Sequence, residues 1–267
     1  MKNNKIKLIM IAIACVLVFI AASIQFDLFS GNKVNFVYVV DKLDKNAVIV
    51  DDGKYVYYTN ARGDVMYVDP YDVENPQLWM ENGKVIAVSD SHILIGKKDG
   101  VELYKKQEKT VEQRYNIKTS NAVLTDEGLY YLDDKTKNVM KLDNPSEEAV
   151  AIIPFEVKKF AMYENKIVYV PMNKKSGIIT YDLGGSSAMM YAYEKTVNDF
   201  YVTNDGLLYY GDDDGKKIKY VRLIDNAEGV TEQKVKDSFG FCQGSFFYVK
   251  NPLFGKNKLV FDIKDNY

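Results

Sequence analysis

The feature that most constrains this chain is a repeat. Short apolar strand patterns begin at Ala47, Val85, Ala122, Lys159, Asp199 and Phe239, at spacings of 38, 37, 37, 40 and 40 residues. Each runs into an Asp/Asn/Gly turn and a strand rich in Tyr and β-branched residues. These segments read DDGKYVYYTN from Asp51, SDSHILIGKK from Ser89, TDEGLYYLDD from Thr125, YENKIVYVPM from Tyr163, TNDGLLYYGD from Thr203 and CQGSFFYVKN from Cys242. A polar hairpin loop and a third strand follow (DVMYVD, GVELYK, NVMKLD, GIITYD, KIKYVRL, KLVFDI), then a weaker fourth (QLWM, EQRYNI, EAVAII, MMYAY, TEQKV). Period-2 alternation with turn signals about every 8–12 residues argues for an all-β chain. Asp-Gly and Asn-Asp-Gly supply the positive φ that tight hairpins need. Six four-stranded units of about 40 residues specify a six-bladed β-propeller.

The sixth unit reaches Tyr267 after its third strand, and a spare strand, VNFVYVV at 34–40, precedes the first repeat. The ring closes if that strand pairs beside 258–263 and completes the last blade. An open array would leave two exposed edges, which invite aggregation.

Residues 1–7 carry Lys2, Lys5 and Lys7, and residues 8–24 (LIMIAIACVLVFIAASI) form an uncharged run of 17. That is long enough for a spanning helix and exceeds most secretory apolar cores. Lysines precede it, so the expectation is a transmembrane signal anchor with the N-terminus in the cytoplasm, a linker at 25–33 and a propeller at 34–267 outside. Cleavage after Ala21-Ala22-Ser23 and lipidation of Cys15 are the competing fates. The expected localisation is therefore the cell membrane, single-pass, with the C-terminal domain extracytoplasmic. Cys15 and Cys242 are the two cysteines, so packing rather than a disulfide framework must hold the domain. Removing Lys2, Lys5, Lys7, Lys33 and Asp27 leaves 31 of 35 basic and 36 of 37 acidic residues, a net of −5. With three arginines in all, this composition argues against nucleic acid as a partner.

Tyr57-Tyr58-Thr59-Asn60, Tyr130-Tyr131-Leu132-Asp133 and Tyr209-Tyr210-Gly211-Asp212 resemble the Tyr-Trp-Thr-Asp strand of lipoprotein-receptor-type six-bladed propellers. They are closer still to bacterial versions in which Tyr-Tyr replaces Tyr-Trp. The motif is eroded at His92-Ile93-Leu94-Ile95 and Phe246-Phe247-Tyr248. The resemblance covers about residues 34–267 and implies binding of proteins or surface polymers through loops, with no catalytic residues to carry over.

Residue chemistry points the same way. His92 is the single histidine, which excludes a multi-histidine metal site and reads as a turn histidine at a strand end. Asp212-Asp213-Asp214-Gly215 could suggest calcium, but it is shorter than a helix-flanked calcium loop and sits where a hairpin is due. Arg62-Gly63-Asp64 spells an integrin tripeptide inside an ordinary hairpin. No cofactor and no metal are expected. Tyr57, Tyr131, Tyr169, Tyr209 and Phe247 recur at equivalent places and read as core. Trp79 falls on a fourth, outer strand, from which a ring can reach solvent and a partner.

In a propeller the loops joining second to third strands and those joining successive blades share one face. The first set here is 60–63, 97–100, 133–138, 173–177, 212–216 and 251–257. Arg62, Lys97, Asp133, Lys174 and Asp212 are its candidate ligand contacts. Leu253 and Phe254 are apolar residues in a polar loop and are candidate anchors, Phe254 alternatively folding back over the channel rim. The expected function is a membrane-tethered, non-enzymatic binding or scaffolding module for a protein or polymer of the cell envelope. A carboxylate-dependent hydrolase or lyase at the channel mouth is the alternative, marked by two carboxyls about 5–9 Å apart in a wet pocket. A structural part of an envelope complex would instead show a large apolar patch.

Overall fold

The computed structural model describes residues 35–45, 47–173, 175, 177–185, 187–212, 217–234, 238–250 and 255–264. Contacts divide the chain into Val37–Asp262 and a second unit of Met1–Phe36 with Ile263–Tyr267. The first unit holds the body of all six repeats. The apolar run at 8–24 lies outside the described residues.

Strand β1 (Asn35–Lys42) precedes the repeats. Blade one is β2 (Ile49–Asp51), β3 (Val56–Thr59), β4 (Val65–Asp69) and β5 (Asp72–Met80). Blade two is β6 (Lys84–Val88), β7 (His92–Lys97), β8 (Gly100–Lys105) and β9 (Thr110–Tyr115). Blade three is β10 (Ala122–Thr125), β11 (Gly128–Leu132), β12 (Val139–Leu142) and β13 (Val150–Ile153). Blade four is β14 (Val157–Tyr163), β15 (Lys166–Pro171), β16 (Ile178–Asp182) and β17 (Ala188–Tyr191). Blade five is β18 (Val197–Val202), β19 (Leu207–Asp212), β20 (Lys217–Arg222) and β21 (Glu228–Lys234). Blade six combines β22 (Phe239–Cys242), β23 (Ser245–Lys250) and β24 (Lys258–Lys264) with β1, in the order β1-β24-β23-β22. The N-terminal strand thus completes the last blade, and the protein is an all-β, six-bladed propeller with four-stranded blades.

The seam between blades six and one is tied at several points. Leu43 N donates to Asn257 O at 2.7 Å, Ala61 N donates to Lys42 O at 2.8 Å, and Leu43 forms a bridge with Asn60. The Tyr58 hydroxyl donates to Asp41 Oδ2 at 3.3 Å.

The sequence pattern of each strand follows from its place in the stack. Second strands lie between neighbouring blades, so both faces are covered; all four residues of β3 are buried, as are the last four of β11. That is why they read as continuous apolar and aromatic runs rather than as alternation. Outer strands keep a solvent face, and β21 alternates exposed and half-buried along its length. Adjacent tyrosines therefore serve opposite faces. Tyr131 packs with Ile86 and Leu94 of blade two, and Tyr130 with Val157 and Phe160 of blade four. Tyr57, Tyr131, Tyr169 and Phe247 are buried, whereas Tyr209 is half-buried.

Two expectations need correction. Trp79 does not present its ring to solvent: it is buried against Tyr104 of blade two, ring centroids 5.7 Å apart, because alternate residues of β5 face the next blade. Inner strands of blades four and five begin two residues earlier than the pattern indicates. Bulges between Val157 and Lys159 and between Val197 and Asp199 place two residues opposite one, which breaks the alternation used to find the start.

If the N-terminal segment is part of the ring, Leu43, which is 1% exposed, carries core-like energy. Leu43→Ala is expected to lower unfolding free energy by about 2–5 kcal/mol in urea titration. A loss below about 0.5 kcal/mol, as at an exposed tail, would contradict closure through this segment.

Candidate functional site

The inner strands surround a cavity of about 870 Å³. Its walls include Ile49, Ile86, Ala122, Phe160 and Phe200, one or more from each of blades one to five. Charged groups sit at the two ends. Where inner strands start, on the face of the blade-joining loops, the lining includes Lys84, Lys137, Lys158, Lys159, Asp134 and Asp199. The bulges in β14 and β18 place Lys159 and Asp199 there. Lys159 Nζ lies 2.7 Å from Asp199 Oδ1 and donates to Phe200 O at 2.8 Å. Lys158 Nζ donates to Val197 O at 3.1 Å, and Lys137 Nζ is 3.7 Å from Asp134 Oδ1.

At the other end stand Asp51, the last residue of β2, and Tyr201, near the end of β18. Burial raises the Asp51 carboxyl to about 6, against hydrogen bonds from Tyr201 and the Gly53 N–H, with the neighbouring Asp52 charge adding to the rise. Asp52 has the opposite fate. Burial opposes its ionisation, but Lys106 Nζ at 2.6 Å and the N–H groups of Tyr55 and Lys54 hold it below the usual carboxylate range. The Tyr57 hydroxyl also donates to it at 3.1 Å.

Asp134, Asp199 and Asp52 each face a lysine, whereas Asp51 meets the Tyr201 hydroxyl. Among the described residues, no group of three His, Cys, Asp or Glu side chains is gathered closely enough to hold a metal ion. His92 Nδ1 is 2.8 Å from Ser91 Oγ, and its Nε2 is 2.6 Å from Glu112 Oε2. The Nε2 contact lacks hydrogen-bond alignment, which argues against a nucleophile triad there.

The second-to-third-strand loops and the blade-joining loops do share one face, and they are bonded to each other. Gly83 N donates to Gly63 O at 2.9 Å, Val157 N to Lys137 O at 2.8 Å, Met172 N to Glu156 O at 3.0 Å, and Val249 N to Ser238 O at 2.9 Å. On this face Arg62 is exposed, with its N–H donating to Asn60 Oδ1 at 2.9 Å. Lys97 Nζ donates to Asn82 O at 2.9 Å. Asp133 accepts from Lys135 N, Thr136 N and Thr136 Oγ1; burial opposes its ionisation, but these bonds hold its carboxyl below the ordinary range. Asp212 is buried, with Lys219 Nζ 2.7 Å away. None of these four lines the central cavity or the apolar groove at blade four. Lys174, Leu253 and Phe254 lie outside the described residues, as do Asp213, Asp214 and Gly215.

The blade-four groove, about 580 Å³, lies on the loop face. Phe155 and Glu156 from the loop before the blade, Pro171 and Met172 at the end of β15, and Tyr193 and Glu194 after β17 line it with Met190. Phe155, Met172 and Met190 are 47%, 48% and 47% exposed, and Tyr193 is 67% exposed. Sequence reasoning missed it because its apolar residues come from three separate loops. PMN at 171–173, where β15 enters a hairpin loop, and MMYAY at 189–193, a fourth strand running into the next connection, were the available signal.

Similarity to known proteins is confined to the fold. No family model matches the chain, and no curated protein matches it significantly. Among solved structures it is similar to streptogramin B lyase (TM-score 0.52, 10% identity, covering 86% of this chain and 98% of that one). It is also similar to the β-propeller domain of Cps50 (Swd1) from Myceliophteria thermophila (0.54, 7%, 86% and 100%) and to Hsv2 from Kluyveromyces lactis (0.52, 12%, 80% and 70%).

Breaking one buried pair tests the electrostatics. The Asp52 side chain is 4% exposed, so Lys106→Met leaves its charge without its cation and is expected to cost about 3–5 kcal/mol at pH 7. The Asp52 contribution exists above its unfolded-state pKa and disappears as pH falls through the depressed folded value. The gap between variant and wild type should therefore shrink below pH 4, measured by chemical denaturation; a gap that is constant with pH would contradict the pairing. By strand order and by likeness to those solved structures, the chain is in fold a six-bladed β-propeller.

Proposed function

We propose that this protein is a membrane-tethered, extracytoplasmic binding propeller that docks a protein partner of the cell envelope on its loop face. The observation that carries this reading is the blade-four groove. Four large apolar side chains stand exposed in a concave site whose loops are pinned by backbone hydrogen bonds, such as Met172 N to Glu156 O. Exposed apolar concavities of this kind mark interaction sites. Two methionines add adaptable surface, while the scaffold lowers the ordering cost of binding. The apolar run at 8–24 behind three lysines supports tethering with the propeller outside. The Tyr-Tyr strands support assignment to the lipoprotein-receptor-type repeat class, whose members bind through loops.

A photo-crosslinking residue placed at Met190 of the full chain in its own cells should give a discrete protein adduct. The same residue at Val230, exposed on the outer strand of blade five, should give none. Adding Phe155→Asp and Met172→Asp should reduce the Met190 adduct at least tenfold at unchanged protein level. Equal adducts at both positions, or an adduct indifferent to the two aspartates, would overturn the groove as the docking site. Retention in the membrane pellet after carbonate washing, with the propeller digested by protease added to intact cells stripped of their wall, tests the tether.

A further inference from the structure

Tyr201 belongs to blade five, yet its hydroxyl reaches blade one. It lies 2.5 Å from Asp51 Oδ2 and 2.8 Å from Phe241 O of blade six. The ring crosses the inner strand of blade six at Gly240, where a Cβ would meet Tyr201 Cε2 at 3.0 Å and Phe247 Cζ at 2.3 Å. Phe241 and Phe247 hold the ring from the sides, with centroids 6.4 and 6.2 Å away. The turns beyond also approach each other, since a Cβ on Gly53 would meet Asn204 Nδ2 at 3.4 Å. One side chain thus spans the blade that contains the closure of the ring.

The hydrogen count makes this arrangement sensitive to protons. A tyrosine hydroxyl has one hydrogen to donate. Phe241 O is an acceptor in every state, and Asp51 Oδ2 is an acceptor when ionised, so a single hydrogen would have to serve two acceptors. With Asp51 protonated every group is satisfied. Its Oδ2–H donates to the Tyr201 oxygen, Tyr201 donates to Phe241 O, and Asp51 Oδ1 accepts from Gly53 N at 3.1 Å. We propose that Asp51, Tyr201 and the Phe241 carbonyl form a proton-operated latch across the closing blade, fastened when Asp51 is neutral and released when it ionises.

The surroundings oppose a second negative charge. Asp52 from blade one stands beside Asp51 and is ionised through Lys106 of blade two. Asp205 from blade five acts on Tyr201, and Asp69 of blade one, with Asp51 and Asp52, acts on the Cys242 thiol of blade six. Lys106 is paired with Asp52, and the exposed Lys54 stands near the same carboxylate. Burial first, with the Asp52 charge adding to it, raises the Asp51 carboxyl to about 6. Since its folded value lies above the unfolded one, the native state binds the extra proton between about pH 4 and 6. Stability from the latch is complete at the acid end and declines as pH rises through 6.

Thermal midpoints of the detergent-solubilised full chain, read by the fluorescence of the single tryptophan, test this between pH 4.5 and 7.5. The wild type should lose several degrees across that range. Asp51→Asn, whose amide donates to Tyr201 at every pH, should stay near the acid-side value. His92 lies on blade two and is common to both proteins, so the difference between them isolates Asp51. Tyr201→Phe keeps the ring packing but removes the acceptor of the Asp51 proton, so it should lower the pH 5 midpoint and move the Asp51 titration downward. Amide protection factors at 239–242, corrected for the intrinsic pH dependence of exchange, should fall above pH 6 in the wild type alone. Parallel pH profiles for wild type and Asp51→Asn would overturn the latch. Should that variant not fold, carbon-13 titration of the wild-type carboxyls decides: an Asp51 midpoint near 6 supports the latch, and one near 4 overturns it.

Discussion

The structure depends on ring closure. Each blade is a sheet whose second strand has apolar side chains on both faces, so it needs a neighbour on each side. Five of the contacts between blades come from succession along the chain. The remaining one must be made by joining segments some two hundred residues apart. That junction is built from strand addition by β1, backbone bonds at Leu43 and Ala61, and the reach of Tyr201 across Gly240. Loop-closure entropy grows slowly with length, so one tie across so long a chain is tolerated where the buried area is large.

Closure also creates the interior. Inner strands have one free backbone edge, and in a ring those edges face a common cavity. Polar side chains near that edge gather at its two ends: a lysine-rich rim bearing Lys158 and Lys159, and an acidic end bearing Asp51. At the rim Asp134 and Asp199 each meet a lysine. At the opposite end Asp52 has taken Lys106, leaving Asp51 with a phenol for a partner. The same residue type is thus pushed in opposite directions at adjacent positions by what the neighbouring blades supply.

The loop face shows how a rigid scaffold makes a site from distant residues. Phe155, Met172 and Tyr193 come from three connections and share no local pattern. Their proximity follows from blade stacking, which superposes the connection before a blade, the hairpin within it and the connection after it. Charged loop residues singled out from sequence fare differently. Asp133 closes its own turn, and Asp212 is buried beside Lys219. Polar residues in hairpins satisfy local backbone first, and sequence does not distinguish that from an outward-facing contact.

By itself the sequence determined the strand count, the blade count and the strand that completes blade six. Those follow from local turn chemistry repeated at a fixed interval, and local chemistry is visible residue by residue in segments such as TDEGLYYLDD and TNDGLLYYGD. Tertiary structure alone decided that Trp79 is interior, that Asp51 meets Tyr201, and that the apolar groove opens at blade four. Each depends on which faces of neighbouring sheets touch, a relation between positions 25 to 150 residues apart that no single repeat encodes.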